Sequence, residues 1–282
     1  MSVRRTIPSA AASLVLSLAV GTGAATTLTP RTAHAGEKVN VLVLKEHGVG
    51  SASSAQSFID RLMGRMAAVS GFEGASGKYQ TSRRTAAAWI DEHDPAFGII
   101  SLAAFLALRG KHDLSVIGKV DVSSAGGRQY HLVSGSAKDL AGCKGKKVAS
   151  DHFDDERFVE KVVARGEFKL DDFDADKTRR PVQTLKAVIE GEATCALVDD
   201  AQLEYLAKLD GGSKVKSVWK SKELPPMVVV AFGTADKQTA AKLKKNLGKV
   251  CEGAGKTPCA EVGIRSLGAA SDADYATVVK AY

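Results

Sequence analysis

The sequence predicts an α/β fold of two lobes, each a mainly parallel sheet flanked by helices, with a cleft between the lobes. Short apolar runs rich in β-branched residues alternate with amphipathic helical segments, which is the pattern of parallel βαβ units. This alternation begins a second time near residue 130, without a long linker before it. With 282 residues, of which 44% are hydrophobic, the chain is long enough for two lobes of about 100–150 residues.

The first series of elements covers residues 39–120. Residues 39–44 form an apolar run with three valines, as in a buried strand. The next helix is predicted from Phe58, Leu62 and Met66, which recur at helical spacing. The strands predicted in this series are residues 39–44, 97–100 and 114–120, and the helices are residues 54–69, 85–92 and 103–108.

The second series covers residues 130–281. Pro181 stands at the first position of a predicted helix, where its missing N–H costs nothing, and Gly191 ends that helix. The strands predicted in this series are residues 130–133, 147–150, 195–198 and 227–232, and the helices are residues 155–165, 181–190, 203–209, 237–250 and 273–281.

The first 35 residues are expected to be a signal peptide that is removed on export. Arg4 and Arg5 precede a short apolar stretch at residues 10–20, and Ala33-His-Ala35 is a small-x-small cleavage site. The apolar stretch is shorter than the about 20 residues that cross a bilayer. We therefore expect cleavage after Ala35, by a route (Sec or twin-arginine) that the sequence leaves open.

The charge argues against a nucleic-acid partner. The formal net charge of the chain is +7, and subtracting the three arginines of the leader (Arg4, Arg5 and Arg31) leaves +4. Basic and acidic residues alternate along most of the chain, and no basic stripe is interleaved with aromatic residues. We expect no nucleic-acid binding.

The four cysteines of an exported chain are expected to form disulfides. Four cysteines allow three connectivities. Cys251 and Cys259 are separated by a turn-rich segment with two glycines and a proline, which favours their pairing and leaves Cys143 to pair with Cys195. Metal binding is the alternative, but there is no C-x-x-C spacing and no histidine near any cysteine in the sequence.

Catalytic motifs are missing from the sequence. It has neither the G-x-S-x-G of a nucleophile elbow nor the H-E-x-x-H of a zinc protease. We therefore expect no catalytic residues, no cofactor and no metal.

Four segments carry a resemblance to a known family. They are residues 139–149 (DLAGCKGKKVA), 185–199 (LKAVIEGEATCALVD), 224–230 (LPPMVVV) and 275–279 (YATVV). In this order and spacing they resemble segments of type II periplasmic solute-binding proteins, most of all the phosphate/phosphonate-binding branch that serves ABC importers. The resemblance covers most of residues 37–282.

The resemblance implies a periplasmic receptor without catalytic activity, monomeric, whose two lobes close on a hinge around a small anion. It implies delivery of that solute to an ABC permease in the inner membrane. It also implies a first lobe of residues 37–123 and 227–282 and a second lobe of residues 124–226.

One segment departs from the family pattern. Phosphonate-binding members carry a loop rich in serine and glycine after the strand that ends in Val-Ala, and its hydroxyl and N–H groups hold the oxyanion. Here residues 150–157 (SDHFDDER) follow that strand and carry four carboxylates. The resemblance implies a small oxyanion. Since carboxylates repel a phosphonate, the alternative is a zwitterion that also carries a cation.

The candidate binding residues follow the carboxyl ends of predicted strands, where ligands bind in open α/β sheets, or begin predicted helices, whose N–H groups attract anions. They are Glu46, His47, Ser51, Ser53, Ser54, Ser101, Tyr130, Asp151, His152, Arg179, Arg180, Gln183, Thr184 and Asp199.

Ordinary structural roles remain open for several of these candidates. The serines of residues 51–54 are equally suited to capping the next helix, and Ser101 to a turn. Asp199 either binds a substrate amine or caps the helix that follows it. Tyr130 either stacks on the ligand or packs against its own lobe.

Arg179 and Arg180 precede a helix N-terminus, where cations are disfavoured by roughly 0.3–1 kcal/mol each. A negative group is therefore expected beside them. It is either the carboxylate of Asp174 or Asp176, or an anionic group of the solute that residues 183–184 also contact.

Two other functions are compatible with the same fold. The alternatives to a transport receptor are a binding protein that senses a ligand for a signalling partner, and an exported enzyme. The sequence does not separate the signalling alternative from transport.

Overall fold

The structure is a computed structural model that describes residues 38–47, 52–122 and 127–282, without the side chains of residues 52–54. The strands of the described residues are β1 (Lys38–Leu44), β2 (Gly74–Gln80), β3 (Phe97–Ile100), β4 (Ser115–Val122), β5 (Tyr130–Ser134), β6 (Lys147–Ser150), β7 (Asp174–Lys177), β8 (Cys195–Asp199), β9 (Lys216–Lys220), β10 (Val228–Ala231) and β11 (Ile264–Ala269). The α-helices are α1 (Ala52–Ser70), α2 (Arg83–His93), α3 (Leu102–Leu108), α4 (Pro181–Ile189), α5 (Asp200–Leu206), α6 (Lys237–Val250), α7 (Lys256–Glu261) and α8 (Ala276–Ala281).

The strands form two sheets, and the predicted α/β class is confirmed. The first sheet has the order β11-β4-β10-β3-β1-β2, and the second has the order β7-β6-β8-β5-β9. The chain leaves the first sheet after β4, builds the second sheet, and returns as β10 between β3 and β4. Two connections, β4 to β5 and β9 to β10, therefore join the two sheets.

The sheets are mixed, whereas the sequence predicts mainly parallel ones. β1 pairs in parallel with β2 and β3, and β6 pairs in parallel with β7 and β8. The strands that carry the chain between the sheets run the other way: β5 is antiparallel to β8 and β9, and β10 is antiparallel to β3 and β4. The chain crosses from one sheet to the other at the edge where the parallel strands end, so the strand that enters each sheet runs antiparallel to them.

The core of the first sheet follows the two-residue period of a strand. Val41 and Val43 of β1 face the cluster formed with α1 and α6, while Leu42 and Leu44 face the opposite cluster. That second cluster continues from Ile100 to residues of the second sheet such as Leu132 and Phe158. This one cluster therefore spans both sheets.

The predicted helix at residues 155–165 is wound differently. Its central part, Phe158–Val163, is a π-helix that buries Phe158, Val159, Val162 and Val163. Asp155 stands at the start of this segment and accepts a hydrogen bond from the Phe158 N–H at 2.9 Å.

The cysteines are joined as Cys143–Cys195 and Cys251–Cys259, the pairs that the sequence favours. The first disulfide ties the turn before β6 to the start of β8, and the second ties the end of α6 to α7. None of the helices in the described ranges is long and apolar enough to span a membrane.

Candidate functional site

Side chains that follow strands of both sheets line one cleft of about 1240 Å³. Glu46 and His47 follow β1, Asp151 follows β6, and Arg179 and Arg180 precede α4. A smaller cavity of about 40 Å³ shares Glu46 and His47 with the cleft, and it is also lined by Ser101, Tyr130, His152 and Asp199. These groups lie at the carboxyl ends of the parallel strands, where ligands of α/β sheets bind.

Asp151 is the most enclosed acidic side chain of the cleft, with 2% of its side chain exposed. Thr184 Oγ1 donates to Asp151 Oδ1 at 2.9 Å, and His47 Nδ1 donates to Oδ2 at 3.1 Å. Gln202 Nε2 lies 3.0 Å from Oδ1 and 3.1 Å from Oδ2. Burial alone would raise the pKa of Asp151, but the hydrogen bond from His47, the nearby histidine charge and the Thr184 hydroxyl hold that pKa far below its usual range.

The buried Gln202 side chain contacts three other residues of this network. Its side-chain oxygen accepts hydrogen bonds from the Asp199 N–H at 3.1 Å and from His152 Nε2 at 3.2 Å. These two donors fix the amide so that its NH₂ group points at Asp151. Burial, followed by the charge of His47, lowers the pKa of His152 to about 4, so His152 is neutral near pH 7 and donates through Nε2.

His47 connects the first sheet to this network of the second sheet. Its ring lies 4.3 Å from the ring of His152, and its Nε2 lies 3.9 Å from Asp154 Oδ1. Burial alone would lower the pKa of His47. The hydrogen bond to Asp151 and the charges of Asp151, Glu46 and Asp154 outweigh burial together and raise that pKa above its ordinary value.

Arg83, at the start of α2, bridges the two sheets. Its Nε lies 2.6 Å from Glu46 Oε1 in an ion pair. Its Nη1 donates to Asp155 Oδ2 at 2.5 Å. Burial raises the pKa of Glu46, although the charge of Arg83 opposes the effect.

Asp199 caps α5 while it lines the small cavity. Its Oδ1 accepts the Gln202 N–H at 2.7 Å, which completes a capping box with the Gln202 side chain. Burial, followed by the charges of Asp200 and Asp151, raises the pKa of Asp199 to about 6. The capping role left open by the sequence is therefore present in the structure, with a carboxylate oxygen beside the cavity.

Tyr130 and Ser101 both form walls of the small cavity. The Tyr130 ring meets the rings of His152 and Phe158 edge-on at 5.0 Å and 5.8 Å. The Ser101 hydroxyl accepts the Ala104 N–H at 3.4 Å, as a cap of α3, and donates to Glu46 Oε2 at 3.4 Å. Tyr130 thus packs against its own sheet, and its hydroxyl remains beside the cavity.

Arg179 and Arg180 are exposed on the wall of the cleft. Among the described residues, no carboxylate lies within 4 Å of either guanidinium group. Asp176, one of the partners that the sequence suggested, pairs instead with Lys147 at 3.1 Å. Gln183 accepts the Arg179 N–H at 3.2 Å and so shapes the loop that presents both arginines.

Three predicted residues have side chains outside the described part of the chain, and two residues of the candidate site were not predicted. Ser51 and the side chains of Ser53 and Ser54 lie outside the described part of the chain. Arg83 and Gln202 belong to the site and were not predicted. The only signal for Gln202 is its position three residues after Asp199, where a capping box places a glutamine.

No group of three or more His, Cys, Asp or Glu side chains in the described ranges is arranged to hold a metal ion. The acidic groups of the cleft are instead bonded to protein donors or, like Asp199, lie beside a cavity.

The sequence profile of one family matches residues 134–275, which is half of the chain. That family is described as the phosphonate periplasmic substrate-binding protein of ABC transporters. The chain belongs to this family. The expected family is confirmed, and with it the function of a periplasmic substrate-binding protein of an ABC importer, with a small-molecule ligand and a membrane permease as partner.

Several solved structures share the fold of this chain. The binding protein of an ABC phosphonate transporter from Pseudomonas aeruginosa has a TM-score of 0.64 and 15% identity, covering 86% of this chain and 84% of that chain. PhnD1 from Prochlorococcus marinus, in complex with methylphosphonate, has a TM-score of 0.64 and 11% identity, covering 86% and 96%. The aliphatic sulphonate binding protein SsuA from Escherichia coli has a TM-score of 0.55 and 13% identity, covering 80% and 77%.

These identities are low, so the similar structures establish the type II periplasmic binding fold and not the ligand. Among curated protein sequences, none matches this chain significantly.

Proposed function

We propose that this protein binds a small zwitterionic solute in the cleft between its two sheets, with the anionic group at Arg179 and Arg180 and the cationic group at the acidic cavity. The observation that carries this proposal is the charge distribution of the cleft. Two exposed arginines without a carboxylate partner among the described residues line the cleft, and Glu46, which the cleft shares with the small cavity, lines that cavity together with Asp199.

The proposed position of the solute's anionic group is supported by Arg179 and Arg180, which directly precede α4. Two cations beside the positive end of a helix dipole are unfavourable, and a bound anion offsets that cost. The guanidinium groups suit phosphonate, sulfonate or carboxylate because they form two parallel N–H···O bonds with such groups.

The proposed position of the solute's cationic group is supported by the size and lining of the small cavity. Its volume of about 40 Å³ leaves room only for a small group. Gly127, at φ 76°, forms part of the wall, and a Cβ atom there would lie 3.7 Å from the Asp199 carboxylate and 3.9 Å from the Tyr130 hydroxyl. An ammonium group in this cavity would meet the carboxylates of Glu46 and Asp199, and the wall also carries the Lys45 side chain.

The mechanism of binding is closure of two lobes, residues 37–123 with 227–282 and residues 124–226, on the connections between the sheets. A solute that touches both lobes only in the closed state shifts the population toward that state. We also propose that the protein is a monomer, that residues 1–35 are an export signal, and that the solute leaves the cleft chemically unchanged.

A thermal-shift screen tests the ligand class. Phosphate, phosphite, methylphosphonate, aminoethylphosphonate, sulfonates and amino acids are compared, and recovery of the bound compound in unaltered form tests the absence of catalysis. We expect zwitterions to stabilise the protein more than simple anions do, because only they satisfy both ends of the cleft.

The arginines are tested with the double variant Arg179→Gln/Arg180→Gln and the best compound of the screen. We expect affinity to fall by about tenfold or more, since hydrogen bonds to charged groups contribute about 1.5–3 kcal/mol each. The matched control is Lys186→Gln/Lys214→Gln, which removes the same charge from exposed positions that do not line the cleft. Equal affinity of the two double variants would refute the assignment.

A further inference from the structure

The Asp151 carboxylate lies inside a ring of hydrogen-bond donors contributed by both sheets. Thr184 and His47 each donate to one of its oxygens, and Gln202 contacts both. Thr184 and Gln202 come from the helices α4 and α5 of the second sheet, and His47 follows β1 of the first. Three donor side chains thus converge on a single buried anion.

The donors are held in place by contacts other than those to Asp151. The Thr184 and Thr178 hydroxyl oxygens are 2.5 Å apart, so Thr178 donates to Thr184 and leaves the Thr184 proton for Asp151. The Gln202 amide is oriented by the Asp199 N–H and by His152. The positions of the Thr184 and Gln202 donors are therefore set in advance of the anion that they bind.

The chemistry of the three donors is that of an oxyanion site. A hydroxyl, an amide NH₂ and an imidazole N–H form charge-assisted hydrogen bonds with carboxylate and with phosphate-type oxygens alike. Asp151 reaches them from its own backbone, directly after β6. A tethered group of this kind competes with free anions at a high effective concentration.

We propose that Asp151 is a built-in anion that fills the oxyanion cradle formed by His47, Thr184 and Gln202 and keeps free phosphate-like anions out of it. Asp151 is then a specificity-determining residue, and the anionic group of the solute is left to Arg179 and Arg180. The proposal rests on the proposed function only in taking this cleft as the solute site.

The test is chemical rescue of the variant Asp151→Gly, in which the cradle keeps its donors and loses its anion. The probes are formate, which reproduces the deleted carboxylate, and then inorganic phosphate and methylphosphonate, each compared with chloride at equal ionic strength. We expect formate to raise the unfolding midpoint of the variant by roughly 5–10 °C at a hundredfold excess over its Kd. The wild-type protein is expected to show no such rise.

The matched control is Asp154→Gly. Asp154 belongs to the same loop and carries the same charge, but its side chain is 69% exposed and lies 3.9 Å from His47, outside the cradle. We expect no anion response from this variant. A response equal to that of Asp151→Gly would show a general charge effect and overturn the proposal, as would no response from Asp151→Gly.

A measurement on the wild-type protein keeps the proposal testable if Asp151→Gly does not fold. The imidazole resonances of His47 and His152 are followed by NMR during titration with formate and phosphate. Unchanged resonances support a cradle that is already filled. Shifts that saturate with either anion would show that free anions displace Asp151, and the proposal would be wrong.

The outcomes separate this proposal from the proposed function. A zwitterion that binds the wild-type protein, together with an Asp151→Gly variant that gains no anion, refutes the cradle alone. An Asp151→Gly variant that gains formate, in a protein whose affinity does not depend on Arg179 and Arg180, refutes the proposed anion position alone.

Discussion

Asp151 and Asp199 belong to one hydrogen-bond network, yet their environments shift their pKa values in opposite directions. Asp151 accepts hydrogen bonds from three side chains, which favour its charged form over the effect of burial. Asp199 accepts the single N–H of Gln202 beside two other carboxylates, and its pKa rises to about 6. Hydrogen-bond donors therefore outweigh burial at Asp151, whereas burial sets the direction of the pKa shift at Asp199.

Asp199→Asn is expected to stabilise the protein at about pH 8. The folded-state pKa of Asp199 is raised, so the group favours folding only below its unfolded pKa and loses that contribution as the pH rises through about 6. Asparagine keeps the acceptor for the Gln202 N–H without the buried charge. The free energy of unfolding should rise by about 1–3 kcal/mol at about pH 8 and by little at about pH 4, measured by urea unfolding.

Asp200→Asn serves as the neighbouring control. The Asp200 carboxylate accepts the N–H groups of Gly127 at 2.6 Å and Arg128 at 3.3 Å, and the loss of these hydrogen bonds opposes the relief of its repulsion of Asp199. Asp200→Asn should therefore stabilise the protein at about pH 8 less than Asp199→Asn does. A gain for Asp199→Asn that is independent of pH would contradict the assigned cause.

The residues that the sequence missed are those whose role exists only after folding. Glu46, His47, Asp151 and Asp199 follow strand ends, and the strand-end rule is enough to propose them. Arg83 follows β2, a strand that has no apolar run, so no sequence pattern places Arg83 at the cleft. Its partners, Glu46 and Asp155, lie 37 and 72 residues away along the chain.

At the level of elements, the sequence predicted the centres of the two sheets and missed their edges. Four strands were not predicted, and they are the outermost ones: β2 and β11 in the first sheet and β7 and β9 in the second. Edge strands are solvated and need no apolar pattern, as the Asp174–Lys177 sequence DADK illustrates. In β2, Gly77 answers a packing need, since a Cβ atom there would lie 2.7 Å from Ile59 and Met63 of α1.

The two disulfides should contribute unequally to stability. Cys143–Cys195 closes a loop with a separation of 52 residues and Cys251–Cys259 one of 8 residues. In the chain-entropy model the first therefore stabilises the fold by about 4 kcal/mol and the second by about 2.5 kcal/mol. Guanidinium unfolding of the two paired Cys→Ala variants measures both losses.

The disulfide variants are compared with each other, so each serves as the control for the other. Cys143 and Cys195 are both fully buried, and truncation there adds a packing loss to the entropic one. A larger loss for the Cys251/Cys259 pair would contradict the expectation.

For the whole molecule, the polar contacts between the sheets are concentrated at the cleft. Arg83 joins Glu46 to Asp155, and His47 joins β1 to Asp151. The side chains of Glu46 and Asp155 are each 8% exposed, so an open arrangement of the sheets must rehydrate them. Arg83 therefore stabilises this arrangement of the two sheets.

Arg83→Met is expected to favour an open arrangement of the sheets. It leaves two buried carboxylates without their cation, a loss of about 3 kcal/mol in the free energy of unfolding. Small-angle scattering should give a larger radius of gyration than for the wild-type protein. Arg84→Met is the matched control, because Arg84 is exposed, lines the same cleft and forms no ion pair within the described residues. Unchanged dimensions of Arg83→Met would contradict the bridging role.

The insertion of β10 between β3 and β4 has a consequence for biosynthesis. The first sheet lacks its central strand until residues 228–231 have been made, while residues 130–220 already contain every strand of the second sheet. The nested sheet can thus form first, and the outer one must wait for partners more than a hundred residues downstream. Such long-range pairing slows folding, which leaves a newly made chain unfolded for longer and accessible to chaperones.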